Sequence, residues 1–317
     1  MESINSKLNY RYAILGTGAV GGYYGACLQK AGLDVHFLLH KDYEYVSKHG
    51  LVIESPDGNF TLPEVNAYNN VAQMPRCDVV VVALKTTQNY LLPQLLPAVI
   101  KDDGVVLVLQ NGLGIEYQVA GIVGQTVIGG MCFLCSNKVR AGHIHHLDYG
   151  EITLGQYAPS YQVCGITEQM EQIADDFESA GIKIKLAEDL LLARWRKLVW
   201  NIPYNGLSVV LNAMTDELMA DVYARALVEQ LMREVVAAAA KCERFIPDSF
   251  IQEMLDHTTK MKPYRTSMKI DYDQGRLLEV EAIFGNPLRL AKSAGAELPQ
   301  VSMLYQQLKF LERKNDR

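Results

Sequence analysis

Apolar residues follow two regimes along this chain. Up to about residue 187 they come in short runs: "YAIL" (12–15), "VHFLL" (35–39), "DVVVVAL" (78–84), "VVLVL" (105–109) and "TVIGGMCF" (126–133). Each run has the length of a strand, and "DVVVVAL" lacks polar alternation, as suits a strand covered on both faces of a parallel sheet. Helix-period segments over 22–31 and 87–100 lie between runs, a rhythm that predicts βαβ units. Residues 51–62, "LVIESPDGNFTL", predict a hairpin turned at Asp57-Gly58. Beyond residue 187, "EDLLLARWRKLVWN", "DELMADVYARALVEQLMREVVAAAAKCERF" and "VSMLYQQLKFLERK" carry apolar faces at helix period. Thr215 followed by two acids predicts the start of one helix over 216–242. The expectation is an α/β protein: a doubly wound parallel sheet over 1–187, then an all-helical domain over 188–317.

Composition narrows the function. A chain of 317 residues is long enough for two domains and a substantial core. Its formal net charge of −6 argues against a general affinity for nucleic acid or an anionic membrane. No apolar run approaches the roughly 20 residues that span a bilayer. The opening "MESINSKLNY" lacks the basic and apolar regions of a secretory signal, and six cysteines suit a reducing compartment. The expected location is cytoplasmic.

Immediately after the first strand comes "GTGAVG", with Gly16, Gly18 and Gly21 in G-x-G-x-x-G spacing around Thr17, Ala19 and Val20. Following a strand and opening a helix, this pattern predicts a Rossmann-type dinucleotide site: a tight turn, close approach of a pyrophosphate, and a helix N-terminus favouring negative charge. An NAD-preferring site places an acid about 20 residues on. Here "FLLHKDY" puts His40 and Lys41 in that place, with Asp42 slightly late. A neutral or cationic pair tolerates or attracts a 2′-phosphate, which leans toward NADPH; the alternative is that Lys41 points only into solvent. Two further strand ends carry polar residues, Lys85 and Gln88 in "LKTTQ" and Asn111 in "QNGLG". Asn111 is either a ligand-facing residue or part of an Asn-Gly turn. The stretch "CFLCSNKVRAGHIHH" gathers cysteines and histidines, but its spacing matches no structural zinc pattern and reads as strand, loop, strand; no metal is expected.

The stretch "RWRKLVWNIPYN" sets Lys197, Asn201 and Asn205 four residues apart, on one drifting helix face beside Trp195, Val199 and Trp200. Pro203 is expected to kink or end that helix nearby. A lysine partly buried beside tryptophans has its charged form disfavoured, which brings its proton within reach of general-acid chemistry. A snorkelling lysine with two capping amides is the alternative.

"GTGAVGGYYG", "LKTTQ", "QNGLG", "RWRKLVWNIPYN" and "EVEAIFG" occur in the order and at the separations of the ketopantoate reductase family, which the chain resembles from about residue 11 to 312. The resemblance implies a Rossmann domain, a helical domain and a substrate cleft between them. It implies reduction of 2-dehydropantoate to (R)-pantoate with NADPH, a step toward pantothenate and coenzyme A. By the same resemblance Lys197 is the general acid and Glu279 the acid near substrate hydroxyl and nicotinamide ribose. Asn201, Asn205 and Ser267 bind substrate, Asn111 lies between cofactor and substrate, and Lys85 and Cys135 face the cofactor. Two departures stand out: His40 replaces the usual arginine, and an expected asparagine past Asn205 is replaced near Thr215, with Asn212 close by. The rival readings are a reductase of another 2-oxo acid and a non-catalytic NADP(H) sensor. A homodimer through the helical half is admitted, with no feature of the sequence that demands it.

Overall fold

The computed structural model of the chain describes residues 10–315, so the opening segment read for a secretory signal lies outside it apart from Tyr10. The chain forms two compact units. The first runs up to Gln110 and resumes over Ile115–Leu190; the second comprises Asn111–Gly114 and the chain from Leu191 on.

The first unit is built on one sheet. Its strands are β1 (Arg11–Leu15), β2 (Asp34–Leu38), β3 (Leu51–Glu54), β4 (Phe60–Leu62), β5 (Asn66–Tyr68), β6 (Cys77–Val82), β7 (Ile100–Val108), β8 (Thr126–Arg140), β9 (His143–Gln156) and β10 (Ile184–Leu186). They are ordered β4-β3-β9-β8-β7-β6-β1-β2-β5, with β10 on β9. From β5 to β8 every pairing is parallel, the doubly wound core that the apolar runs predict. Val79 to Val82 are all buried, because β6 lies inside the sheet with both faces covered. The helices α1 (Ala19–Lys30) and α5 (Glu168–Ser179) give Tyr24, Leu28, Ile173 and Phe177 to the same core as Tyr12, Ile14, Val81 and Leu107. Each such side chain contributes about 1.5–3 kcal/mol on burial. The shorter helices are α2 (Tyr43–His49), α3 (Leu92–Val99) and α4 (Ile115–Ala120).

The expected hairpin forms, with β3 antiparallel to β4 and Gly58 left-handed at φ 116°. The cysteine–histidine stretch is sheet: β8 and β9 pair antiparallel around a left-handed Gly142, with irregular register beside Phe133, Cys135 and Lys138. His143 faces Glu54 at 3.0 Å, while His146 bonds the Ser55 hydroxyl and the Tyr149 carbonyl. Residues 87–100 open as a 3₁₀ segment, Thr86–Leu91, before α3.

The second unit contains α6 (Leu190–Val210), α7 (Thr215–Ala220), α8 (Val222–Lys241), α9 (Ser249–Lys260), α10 (Ser267–Asp273), α11 (Asn286–Ser293) and α12 (Pro299–Asn315). A π-helical turn, Glu281–Gly285, runs directly into α11. One expectation needs correction, and one alternative of another falls away. The helix predicted over 216–242 is two helices, because Asp221 adopts extended backbone and its carboxylate caps α8 by accepting from Tyr223 and Ala224 N–H at 3.0 and 2.8 Å. Aspartate favours that capping role over a helix interior, and apolar periodicity does not register a one-residue break. Pro203 does not end α6, which continues to Val210. The buried Ile202 and Tyr204 pack either side of it, and one missing hydrogen bond does not outweigh that burial. Among the described residues no helix is long and apolar enough to cross a membrane.

Candidate active site

The glycine turn does its work through backbone. Gly16 is left-handed at φ 102°, and a Cβ there would lie 2.6 Å from the Leu84 nitrogen. A Cβ on Gly21 would lie 2.3 Å from the Gly16 carbonyl oxygen, so the turn closes onto the helix only without side chains. Gly18 differs: nothing lies within 4 Å of a Cβ placed on it. The first intrahelical bond runs from Gly22 N–H to the Gly18 carbonyl at 3.0 Å, which leaves the N–H groups of Ala19, Val20 and Gly21 without intrahelical acceptors. Open space over Gly18 beside a 12-residue helix N-terminus fits a pyrophosphate. Thr17 is buried, its hydroxyl donating to the Leu38 carbonyl at 3.0 Å, which ties the turn to the end of β2.

The other residues singled out on this unit lie at strand ends. His40 and Lys41 follow β2 and are exposed. Lys85 is exposed just past β6, and its carbonyl accepts from Gln88 N–H at 2.8 Å. Gln110 holds this loop: its buried amide donates to the Leu84 carbonyl and to Asn89 Oδ1, both at 2.7 Å. Cys135 is buried in β8, and the next residue, Ser136, donates its hydroxyl to the Ala19 carbonyl at 3.3 Å. Nothing in the sequence marked Gln110 or Ser136, because each acts on a segment distant along the chain.

Lys197, Asn201, Asn205, Ser267, Glu279 and Asn111 all belong to the second unit. Along α6, Trp195, Leu198, Val199 and Ile202 are buried, Lys197 is half-buried, and Asn201 and Asn205 are each only 3% exposed. Buried amides must be paired, since an unpaired one costs about 1–3 kcal/mol. Asn201 Nδ2 approaches Asn111 Oδ1 at 3.5 Å. Asn205 Oδ1 accepts from Met268 N–H at 3.4 Å, and its carbonyl accepts from the Ser208 hydroxyl at 3.1 Å. Ser208 in turn bonds Thr266 at 2.7 Å, and Thr266 caps α10 through Lys269 N–H. Asn205 and Thr266 together fix the first turn of α10, and so fix Ser267.

Glu279 is buried just before the π-helical turn, with its carbonyl accepting from Ile283 N–H. The π register sends Asn286 N–H to the Glu281 carbonyl, while the next carbonyl, of Ala282, accepts from Leu113 N–H at 2.9 Å. Asn286 Nδ2 donates to the Leu113 carbonyl at 2.6 Å. These two bonds latch the Asn111 loop onto the "EAIFGN" segment. The latch needs Gly112, left-handed at φ 104°, where a Cβ would lie 2.4 Å from the Ala282 carbonyl oxygen. Glu281 flanks it: burial pushes its carboxyl up, but hydrogen bonds from Tyr305 and Arg289 and the charge of Lys309 hold it below the usual range. Asn286 escaped sequence reading because its partner lies 173 residues away. Of the departures, Thr215 is buried and paired with the Tyr264 backbone, while Asn212 is exposed in a left-handed conformation after α6.

Chemically, the first unit offers a phosphate cradle and the second a cation, a carboxyl and several amides. Residues 12–159 match the family model described as ketopantoate reductase PanE/ApbA, and residues 189–312 match its C-terminal model. A 2-dehydropantoate 2-reductase of Nostoc sp. strain PCC 7120 is 71% identical over 306 residues, covering 96% of each chain. The crystal structure of 2-dehydropantoate 2-reductase from Geobacter metallireducens GS-15 superposes with a TM-score of 0.90 at 42% identity, covering 94% of this chain and 99% of that one. The corresponding Methylococcus capsulatus structure gives a TM-score of 0.87 at 30% identity, covering 97% and 98%. The chain therefore belongs to the ketopantoate reductase family, as an oxidoreductase that uses a nicotinamide nucleotide.

Proposed function

We propose that the protein reduces 2-dehydropantoate to (R)-pantoate with NADPH, a step toward pantothenate and coenzyme A. The observation that carries this reading is the gathering of Lys197, Asn201, Asn205, Ser267, Glu279 and Asn111 in one compact unit from four separate stretches of chain.

The glycine turn of residues 16–21 would hold the pyrophosphate, with His40 and Lys41 toward the 2′-phosphate and Lys85, Asn111 and Cys135 toward the rest of the nucleotide. When bound, the nicotinamide supplies a hydride to carbon 2 of the ketone. As negative charge builds on the ketone oxygen, the Lys197 ammonium stabilises it and delivers the proton that completes the alcohol. Asn201 and Asn205 are uncharged donors and acceptors already held in place, so binding substrate costs them little reorganisation. Ser267 adds a hydroxyl at the start of α10, and Glu279 orients the substrate hydroxyl.

The test is NADPH oxidation at 340 nm with ketopantoate, beside NADH and a panel of other 2-oxo acids. Ketopantoate with NADPH should give the highest kcat/KM. A higher value for another acid would displace the substrate and keep the mechanism. Nucleotide binding without turnover on any acid would favour a sensor.

A further inference from the structure

In a Rossmann site, a carboxylate after the second strand binds the ribose diol of NAD and repels the 2′-phosphate of NADP. The first carboxylate after β2 in this chain is Asp42. It stands at the N-cap of α2, where an aspartate ordinarily accepts from its own helix, yet it makes no capping bond. Its Oδ2 instead accepts from Lys138 Nζ at 2.8 Å and from Gly142 N–H at 3.4 Å, and its side chain is only 13% exposed. Both donors come from the β8–β9 hairpin, about 100 residues along the chain. His40 and Lys41, immediately before Asp42, are exposed and carry no side-chain ion pair among the described residues.

We infer that Lys138 is a specificity-determining residue for NADPH over NADH, acting through Asp42: it neutralises and turns away the carboxylate next to His40 and Lys41 in the chain, which would otherwise oppose a 2′-phosphate there. The inference rests on the NADPH preference proposed above. It explains how a site without the family's arginine still carries net positive charge. The Lys41 charge next to a free carboxylate would be nearly cancelled; next to a paired one it is not.

The experiment measures binding, not turnover. Adenosine 2′,5′-bisphosphate and 5′-AMP are titrated by calorimetry into wild type, Lys138→Met, Asp42→Asn and the double variant. Lys138→Met should weaken the bisphosphate about tenfold while 5′-AMP changes by less than about twofold. Asp42→Asn alone should keep or raise bisphosphate affinity, which tests the inference even where Lys138→Met does not fold. The double variant should recover wild-type affinity. Equal loss of both ligands in Lys138→Met, no loss, or a loss that persists in the double variant would overturn the inference; the last would make Lys138 a direct phosphate ligand. Wild type without preference for the bisphosphate would overturn the NADPH reading and this inference together. Preference without ketopantoate reduction would overturn only the proposed substrate.

Discussion

In the first unit the residues of the glycine turn are consecutive, Gly16 to Gly21. In the second, the polar residues come from positions 111, 197–205, 266–267 and 279–286. On the proposed function, the difference follows from what each region supplies. A pyrophosphate is held by backbone N–H groups, and backbone geometry is written locally by where glycines fall. A ketone needs a proton donor and oriented amides, which are side chains, and side chains converge only when helices pack. One region fails when a backbone is blocked, the other when a side chain loses its donor or its support.

The largest effect should come from the second region. Lys197→Ala is expected to lower kcat by about 10²–10⁴-fold with little change in melting temperature, since a half-buried lysine contributes more proton than packing. Steady-state kinetics with thermal melts would check this, and unchanged turnover would remove Lys197 as the acid.

The first region should break in two ways that its glycines keep distinct. Gly16→Ala meets the Leu84 backbone and a left-handed φ, so it should cost about 1–3 kcal/mol of stability as well as nucleotide affinity. Gly18→Ala meets nothing within the protein, so it should melt normally yet bind nucleotide at least about tenfold more weakly. Equal nucleotide affinity in Gly18→Ala and wild type would mean that the open space is not the pyrophosphate seat.

Asn286→Ala sharpens the contrast, because it removes support without touching the cradle. Loss of its bond to the Leu113 carbonyl should loosen Asn111 and reduce kcat by roughly 5–30-fold, corresponding to about 1–2 kcal/mol. Nucleotide affinity measured by fluorescence titration should hold for the 2′-phosphate end. A uniform loss of folding and of both kinetic constants would mark Asn286 as structural only.

The smallest effect concerns pH. The folded state holds the Glu281 carboxyl below its ordinary value, so its contribution is present at neutral pH, above the unfolded pKa, and is lost as pH falls through the lowered folded value. Glu281→Gln should therefore flatten the acid side of the stability profile and leave the region above pH 6 nearly parallel to wild type. Denaturant melts between pH 3 and pH 7 would show whether the two curves converge on acidification.

Much of this was legible beforehand for identifiable reasons. The apolar runs gave the parallel core, "GTGAVG" gave the glycine turn that opens α1, and the interval of four gave a shared face to Lys197, Asn201 and Asn205. The break at Asp221 was not legible, because periodicity carries through a single non-helical residue. Nor was the course of α6 past Pro203, which depends on the packing of its neighbours. Cys135 was named from the resemblance, while its neighbour Ser136, whose hydroxyl donates to the Ala19 carbonyl of the glycine turn, was not named.

The sequence by itself determined what depends on neighbours along the chain: strand and helix periods and the glycine turn. Tertiary structure alone decided which carbonyl latches the Asn111 loop, which amide starts α10, and which lysine answers Asp42. Those partners lie 63 to 173 residues apart. Hydrogen bonds at such separations are fixed by how packed elements meet, and no local pattern of residues records that meeting.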